Sequence, residues 1–556
     1  MKLTSEYDQH FIEAQIRAHR TGATRRQFVA GAAAGAAALG LAACGTGSED
    51  ASADGKKVLR WAQKNQKQGI DPHVVNDQNS YTLSDMACEA PLMWTEDNEL
   101  VPCFTTKMPE VSADGLTYKL ELKGKIPCHD GSNLTAKDVK FSVERMLWPE
   151  TKYKSPYMLN QIKGAADVIA GTTRECTGVV ADDDTHVTIT LEKPYSSFLS
   201  ILGTVFFECF PQAAVEKAGS AWGTGTNLVG SGPFKITSND DSTKLTYEKF
   251  DQYHGTPANV DEVDVTYVDD PNTKMMSYVN GDLDLCDVDP SQFEQYQNDA
   301  TVKDQLHEYD PLGTYFLNLN LSSDKLKDVR VRQAISLAVN RQEIVDTVLH
   351  GGGIAANGYL NPKIPGYDSS ADVLEYNPDK AKELLAEAGA SGLTLDCPVR
   401  ATEQAVAVAL QGYLEAVGIT LNVSTMDSAM WSDRWRGGQL ETTVLSWNIL
   451  FPDGDMAFYT YFYSESAAQK GSFYNSPDFD KLLLEARDES DDTKRADLYK
   501  QANKLLVDQD WATCPLYYPK RFFAAKPWVK NMKVGNLVFH FRDVDIDLDE
   551  KAKASK

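Results

Sequence analysis

Few residues in this sequence that could do covalent chemistry stand at the spacings such chemistry requires. There is no Gly-x-Ser-x-Gly to raise a serine on a strained turn, no His-Glu-x-x-His to hold zinc on one helix face, and no P-loop to cradle phosphates. Gly223-Thr224-Gly225 lacks the third glycine and the strand-to-helix setting of a dinucleotide loop. His73 and His129 have no ligand residues at metal-binding spacing, and the cysteines include no Cys-x-x-Cys pair. Asp182-Asp183-Asp184 offers three carboxylates, but with Thr185 and an alternating run behind it the triplet reads as a solvated turn. Other carboxylate pairs are expected by chance in so acidic a chain, so no glycosidase centre can be read from them. The pattern points away from an enzyme, and no resident metal or cofactor is expected.

The strongest signal for covalent modification lies at the N-terminus. Thr24-Arg25-Arg26-Gln27-Phe28-Val29 is a twin-arginine export pattern, followed by an uncharged Ala/Gly run over residues 30–43. That run is short of the ~20 apolar residues a permanent membrane helix needs. It ends in Leu41-Ala42-Ala43-Cys44, which resembles a bacterial lipobox and implies cleavage before Cys44 and acylation of its thiol. Residues 1–43 are therefore read as a signal peptide and 44–56, rich in Gly, Ser and acids, as a tether. The mature chain is expected on the outer face of the cytoplasmic membrane, in a periplasm or at a cell surface, held by lipid at Cys44. Eight further cysteines, 88, 103, 128, 176, 209, 286, 397 and 514, enter that oxidising compartment. The sequence leaves their pairing open.

Charge narrows the partners. The 556-residue chain carries a formal charge of −25, and the part after Ala43 holds 50 basic and 77 acidic residues. Nucleic acid needs Lys/Arg patches, so it is excluded as a partner. Docking on anionic lipid by charge is disfavoured for the same reason. An apolar content of 42% and a charged content of 24% describe an ordinary globular protein, and the length calls for two or three folded units.

Strand-like alternation appears at 58–62, 117–122, 186–191, 244–247 and 314–320. Helical periodicity is clearest at 136–147, 331–349, 378–388, 404–417 and 478–507. Thr135 and Asn377 stand where N-caps should, the second with Pro378 at the first helical position. Gly389 and Gly418 stand where helices should stop. The interleaving gives a mixed α/β class.

Several blocks then come in a telling order. They are Ser112-Ala113-Asp114-Gly115-Leu116-Thr117-Tyr118 with His129-Asp130-Gly131, Leu134-Thr135-Ala136-Lys137-Asp138-Val139 and Phe141-Ser142-Val143-Glu144-Arg145. Next are Gly230-Ser231-Gly232-Pro233-Phe234, Gly281-Asp282-Leu283-Asp284, Asp328 to Ile335 with Asn340 to Ile344, Leu384 to Gly389, and Asp510 to Pro519. In this sequence of blocks the chain resembles the extracytoplasmic solute-binding proteins of ABC importers, the dipeptide/oligopeptide-binding family 5. The resemblance implies an α/β, bilobal periplasmic-binding-protein-like fold with an extra subdomain on the first lobe. The expected division is 57–98, 230–313 and 521–556 for the first lobe, 99–229 for the added subdomain and 314–520 for the second lobe. It also implies a monomer that captures a small peptide or peptide-like solute and delivers it to a permease.

In peptide-binding members of this family an aromatic loop of the second lobe carries Trp followed three positions later by Asp, whose carboxylate pairs with the peptide ammonium. The matching stretch here is Trp447-Asn448-Ile449-Leu450-Phe451-Pro452-Asp453-Gly454-Asp455, with Leu450 in place of that Asp. Trp447, Asn448, Leu450, Asp453 and Asp455 are the expected ligand contacts on this side. After Asp71-Pro72-His73, the residues Asn76, Asp77 and Gln78 are expected on the first-lobe side. Leu450 keeps other ligands open: a glutathione-like solute, a saccharide, a metal chelate, or a ligand-sensing role on the same fold. Arg145, Arg330 and Arg332 are expected to make structural ion pairs.

The anchor is directly testable. Cys44→Ala should abolish incorporation of a palmitate analogue, and Arg25→Lys combined with Arg26→Lys should block export. An unlabelled wild-type protein would remove the lipid anchor from the picture.

Overall fold

The computed structural model describes residues 55–554, apart from 67–68, 76, 154–155, 373 and 537. Arg25, Arg26, Cys44 and Asn76 lie outside the described residues. The chain mixes helices and strands in a bilobal α/β fold built on three main sheets.

Val58–Gln63 is central to a seven-stranded sheet. The strand order is Leu306–Tyr309, Arg521–Ala525, Leu285–Val288, Val58–Gln63, Glu262–Tyr267, Lys244–Lys249 and Phe234–Asn239. Its two neighbours, Glu262–Tyr267 and Leu285–Val288, run parallel to it, and the remaining pairs are antiparallel. Leu59 and Trp61 pack into one apolar cluster and Ala62 into another, as expected of a strand covered on both faces. The exception in the strand, Arg60, is neutralised by fully buried Asp284 in a bidentate pair at 2.9 and 3.0 Å.

A four-stranded sheet, Gly353–Ala355, Thr513–Pro519, Gly313–Leu319 and Thr442–Asn448, carries the second body of core. Beside it the parallel pair Thr394–Val399 and Thr420–Thr425 is joined by the helix Gln404–Ala416. A smaller antiparallel sheet, Glu110–Val111, Thr117–Glu121, His186–Thr190 and Val179–Ala181, packs against the helix Ala136–Leu147. The chain passes from the seven-stranded to the four-stranded sheet between Tyr309 and Gly313, and returns between Pro519 and Arg521. The two crossings are neighbours: Tyr309 pairs with Arg521 on one side and Tyr315 with Tyr517 on the other.

Local signals act where they were read. Thr135 caps Ala136–Leu147, with Asp138 accepting from both the Thr135 amide and hydroxyl at 2.8 and 2.7 Å. Asn377 accepts from the Lys380 amide to start Pro378–Glu387, and Gly389 and Gly418 take left-handed φ of +67° and +88° after helices. Asp183 accepts from the Thr185 and His186 amides, so the acidic triplet is a turn into His186–Thr190. Arg332 donates to the carbonyls of Leu326, Lys327, Asp510 and Trp511, and Arg330 pairs with Asp328.

Two long helices expected from periodicity are each broken by an interior cap. The 331–349 stretch forms Val329–Leu337, then Arg341–Glu343 and a wide turn over Ile344–Val348. Asn340 restarts the helix by accepting from the Glu343 amide, while buried Arg341 donates to the Ser336, Val339, Leu374 and Pro515 carbonyls. The 478–507 stretch is Pro477–Asp488 and Asp492–Lys504, because Asp491 accepts from the Thr493 and Lys494 amides. The eight described cysteines are all buried and unbridged. No helix among the described residues is long and apolar enough to cross a membrane.

Candidate functional site

Thr442–Asn448 pairs antiparallel with Gly313–Leu319 and delivers Trp447 and Asn448 to the end of the four-stranded sheet. Gly313 permits this register: a Cβ there would stand 2.0 Å from Asn448 Oδ1. The Ile449 amide donates to the Leu312 carbonyl, so the loop that follows starts beside the chain crossing. Trp447 is half-buried, donates from Nε1 to the Met456 carbonyl at 3.0 Å and packs on Tyr461. Phe451 stacks parallel to Trp94 of the short strand Leu92–Trp94 at 6.0 Å, and Leu450 is buried next to it.

The acids after this loop are spent inside the protein. Asp453 caps the helix Gly454–Phe462 through the Asp455 amide at 2.8 Å and accepts from the Ser197 hydroxyl at 3.0 Å. Burial pushes its carboxyl above the usual range, against the pull of Arg495 at 3.7 Å. Asp455 accepts two bonds from Arg487, at 2.6 and 3.0 Å, and a third from the Tyr195 hydroxyl at 2.9 Å. The Arg487 guanidinium lies 3.3 Å from the centre of the Tyr459 ring and is itself buried. Through Ser197 and Tyr195 the loop is thus clamped to the side of the molecule that holds the smaller sheet, with the Ser196 amide donating to the Arg487 carbonyl.

Opposite, Asp77 caps Gln78–Ala87 by accepting from the Ser80 amide and hydroxyl at 3.0 and 2.8 Å. Gln78 reaches the Tyr309 hydroxyl beside the crossing. Asp71 is held by Arg145 at 2.5 and 3.2 Å. His73 is fully buried between Arg145 and the Glu208 carbonyl, and burial with the neighbouring guanidinium keeps it neutral. The structure therefore groups Trp447, Asn448, Leu450, Asp453 and Asp455 on one loop and places Asp77 and Gln78 on a separate helix start. Asp453, Asp455 and Asp77 already have partners. Among the described residues no group of three or more His, Cys, Asp or Glu is placed to hold a metal.

Leu450 opens onto a cavity of about 110 Å³ where the seven-stranded side, the smaller-sheet side and the loop meet. Its wall includes Met86, Glu89, Trp94, Glu208, Tyr253 and His540. Glu89 accepts from Tyr253, His254 and Ser231 at 2.5, 2.6 and 2.9 Å. Although burial opposes it, the His254 contact holds Glu89 below the usual carboxylate range. Lys470 Nζ lies 5.3, 5.5 and 5.6 Å from the rings of Tyr461, Trp447 and Trp435. Burial, with a smaller push from Arg436, lowers its ammonium to about 8.

Sequence reasoning missed Tyr195, Glu208, Lys470 and Arg487. Tyr195, Lys470 and Arg487 carry no local signal, since each gains its role from partners outside its own element, Tyr195 from Asp455 260 positions away. Glu208 does have one, as a lone acid inside Phe206-Phe207-Glu208-Cys209-Phe210.

Comparison with known proteins agrees with this geometry. Residues 99–469 match the family described as Bacterial extracellular solute-binding proteins, family 5 Middle. A dipeptide-binding protein of Escherichia coli is 27% identical over 521 residues, covering 88% of this chain and 95% of its own. The periplasmic oligopeptide-binding protein OppA of Salmonella typhimurium is 26% identical, covering 85% and 89%. Among solved structures, the ABC transporter-associated periplasmic binding protein DppA from Helicobacter pylori, in complex with the peptide STSA, superposes with a TM-score of 0.75. It is 25% identical, over 88% of this chain and 98% of that one.

Two measurements probe the site. Arg487→Ala leaves Asp455 buried without its counter-charge and should cost about 3–5 kcal/mol in urea unfolding. Lys470 titrates near 8 when folded and near 10.5 when unfolded, so the folded state is penalised while the ammonium is charged in both. Lys470→Met should therefore raise stability at pH 7, with the advantage shrinking as pH rises from 8 to about 10.5. A pH-independent difference between the two proteins would contradict the caged ammonium.

Proposed function

Because the chain belongs to family 5 of the bacterial extracellular solute-binding proteins, we propose that it is the extracytoplasmic substrate-binding lipoprotein of an ABC importer. It captures a small peptide or peptide-like solute between two closing lobes and hands it to the permease. In this reading the first lobe is 57–98, 230–313 and 521–556, the added subdomain is 99–229 and the second lobe is 314–520. Cys44 carries the lipid that holds the protein at the membrane, after export directed by Arg25 and Arg26, and the protein acts as a monomer without chemistry of its own.

The observation that carries the proposal is the paired crossing at 309–313 and 519–521, with an aromatic loop of the second lobe laid across Trp94 of the first. Two adjacent strand connections let the lobes rotate about one line while each sheet stays intact. A solute held between them is buried by closure, with Trp447 as a flat wall and Asn448, Leu450, Asn76, Asp77 and Gln78 around it. Asp453 and Asp455 support the loop from behind. The peptide class is favoured by relatives named for dipeptides and oligopeptides over most of their length.

Ligand-free protein should gain thermal stability with peptides of two to five residues, by about 2.7 kcal/mol at a hundredfold excess over Kd. Its radius of gyration in X-ray scattering should fall at saturation. Stabilisation by glutathione, a saccharide or a metal chelate, with none from peptides, would replace the ligand class. Saturation without compaction would sink the closing mechanism.

A further inference from the structure

Glu208 is the least satisfied acid on the cavity wall. It is 1% exposed, the Ser84 hydroxyl is the one side chain that reaches it, and no cation among the described residues pairs with it. The Ser84 hydroxyl also lies 3.2 Å from the Tyr81 carbonyl, so its single proton is shared between that oxygen and Glu208. An ionisable group kept dry and unpaired is costly, and native structures rarely tolerate one without a use. Burial, reinforced by the negative charges of Asp85, Glu89 and Asp71, pushes the Glu208 carboxyl well above its ordinary range.

The cations around it are engaged elsewhere. His254 is on Glu89, Arg145 on Asp71, His540 on Asp85 at 3.5 Å, Arg542 on Asp543, and Lys533 on Glu96. What remains is a site with one open acid, rings of Trp94 and Tyr253 beside it, and space. The cavity of about 110 Å³ is several times the ~10–15 Å³ that admits a single water. Leu450 is the second-lobe residue on its wall, so lobe opening would withdraw that cover and uncover the acid.

We propose that Glu208 receives a primary ammonium group of the bound solute in this cavity, with Leu450 closing over it. The proposal rests on the peptide-import reading and sharpens it. The amine is held by an acid contributed from residues 99–229, not from the second-lobe loop, whose position three after Trp447 is apolar. A compact ammonium needs one strong acceptor and tolerates aromatic faces around it, which this wall supplies. A divalent cation would need several oxygen ligands, and Glu208 has no second open acid beside it.

The test uses the full chain freed of co-purified solute, and two probes: an equimolar pool of free-amine tripeptides and the same pool N-acetylated. Wild type should hold the free-amine pool at least tenfold more tightly. Glu208→Gln should lose that preference by tenfold to a hundredfold while holding the acetylated pool as wild type does. Its melting temperature should be no lower than that of wild type. Glu208→Met, of similar volume and without a charge, gives the same comparison should the Gln variant misfold. A wild type that holds both pools equally, or a variant that keeps the preference, overturns the role of Glu208 and leaves peptide import standing. Retention of neither pool overturns both.

Discussion

Two strands leave the seven-stranded sheet side by side, Leu306–Tyr309 and Arg521–Ala525, and continue side by side in the four-stranded sheet as Gly313–Leu319 and Thr513–Pro519. The Trp447 loop and the start of the helix Gln78–Ala87 both sit beside that double connection. Because each crossing is only a few residues long, the sheets cannot slide past one another, yet little backbone pairing spans the gap. The Arg521 guanidinium, donating to the Tyr315 hydroxyl at 3.1 Å, and the stacked Tyr315 and Tyr517 rings make the joint a packed one.

The loop after Trp447 is stiff for a reason that burial makes expensive to undo. Asp453 and Asp455 are both nearly inaccessible, and each is satisfied by groups from separate parts of the chain: Ser197, Arg495, Arg487 and Tyr195. In a low-dielectric setting such a pair is not a source of large net stability, but removing one member is severe. Its value is positional. It places the backbone of 449–452 so that Phe451 stacks on Trp94 and Leu450 lines the cavity beside it.

The electrostatics of the cavity follow from which acids have partners. Glu89, with a histidine and two hydroxyls around it, is a settled structural ion. Glu208, on the same wall, has only the Ser84 hydroxyl and no histidine, and burial pushes it the other way. Two buried carboxyls of opposite behaviour therefore line one cavity beside the apolar side chains of Leu450 and Trp94. Lys470 among the rings of Tyr461, Trp447 and Trp435 shows the complementary situation, a cation held by aromatic faces.

How much of this was legible beforehand divides along physical lines. Capping at Thr135 and Asn377, helix ends at Gly389 and Gly418, and strands such as Val58–Gln63 are local, so the pattern of neighbouring residues was enough to place them. The same locality misled at 331–349 and 478–507, where periodicity ran through Asn340 and Asp491 although each side chain could close a new helix start. The ordered blocks pointed to the bilobal fold and to the loop at Trp447, and the leucine at 450 was visible as a departure. What each acid does could not be read from the chain, because a carboxylate's role depends on who reaches it. Asp455 meets Arg487 across a short interval and Tyr195 across 260 positions, and Glu208 is passed over by every cation near it. Sequence alone determined the class of the protein, its local elements and the address of its loop. Tertiary structure decided which charges are spent and which is left open, since only packing fixes burial and distance, and those two quantities set the energy of a charge.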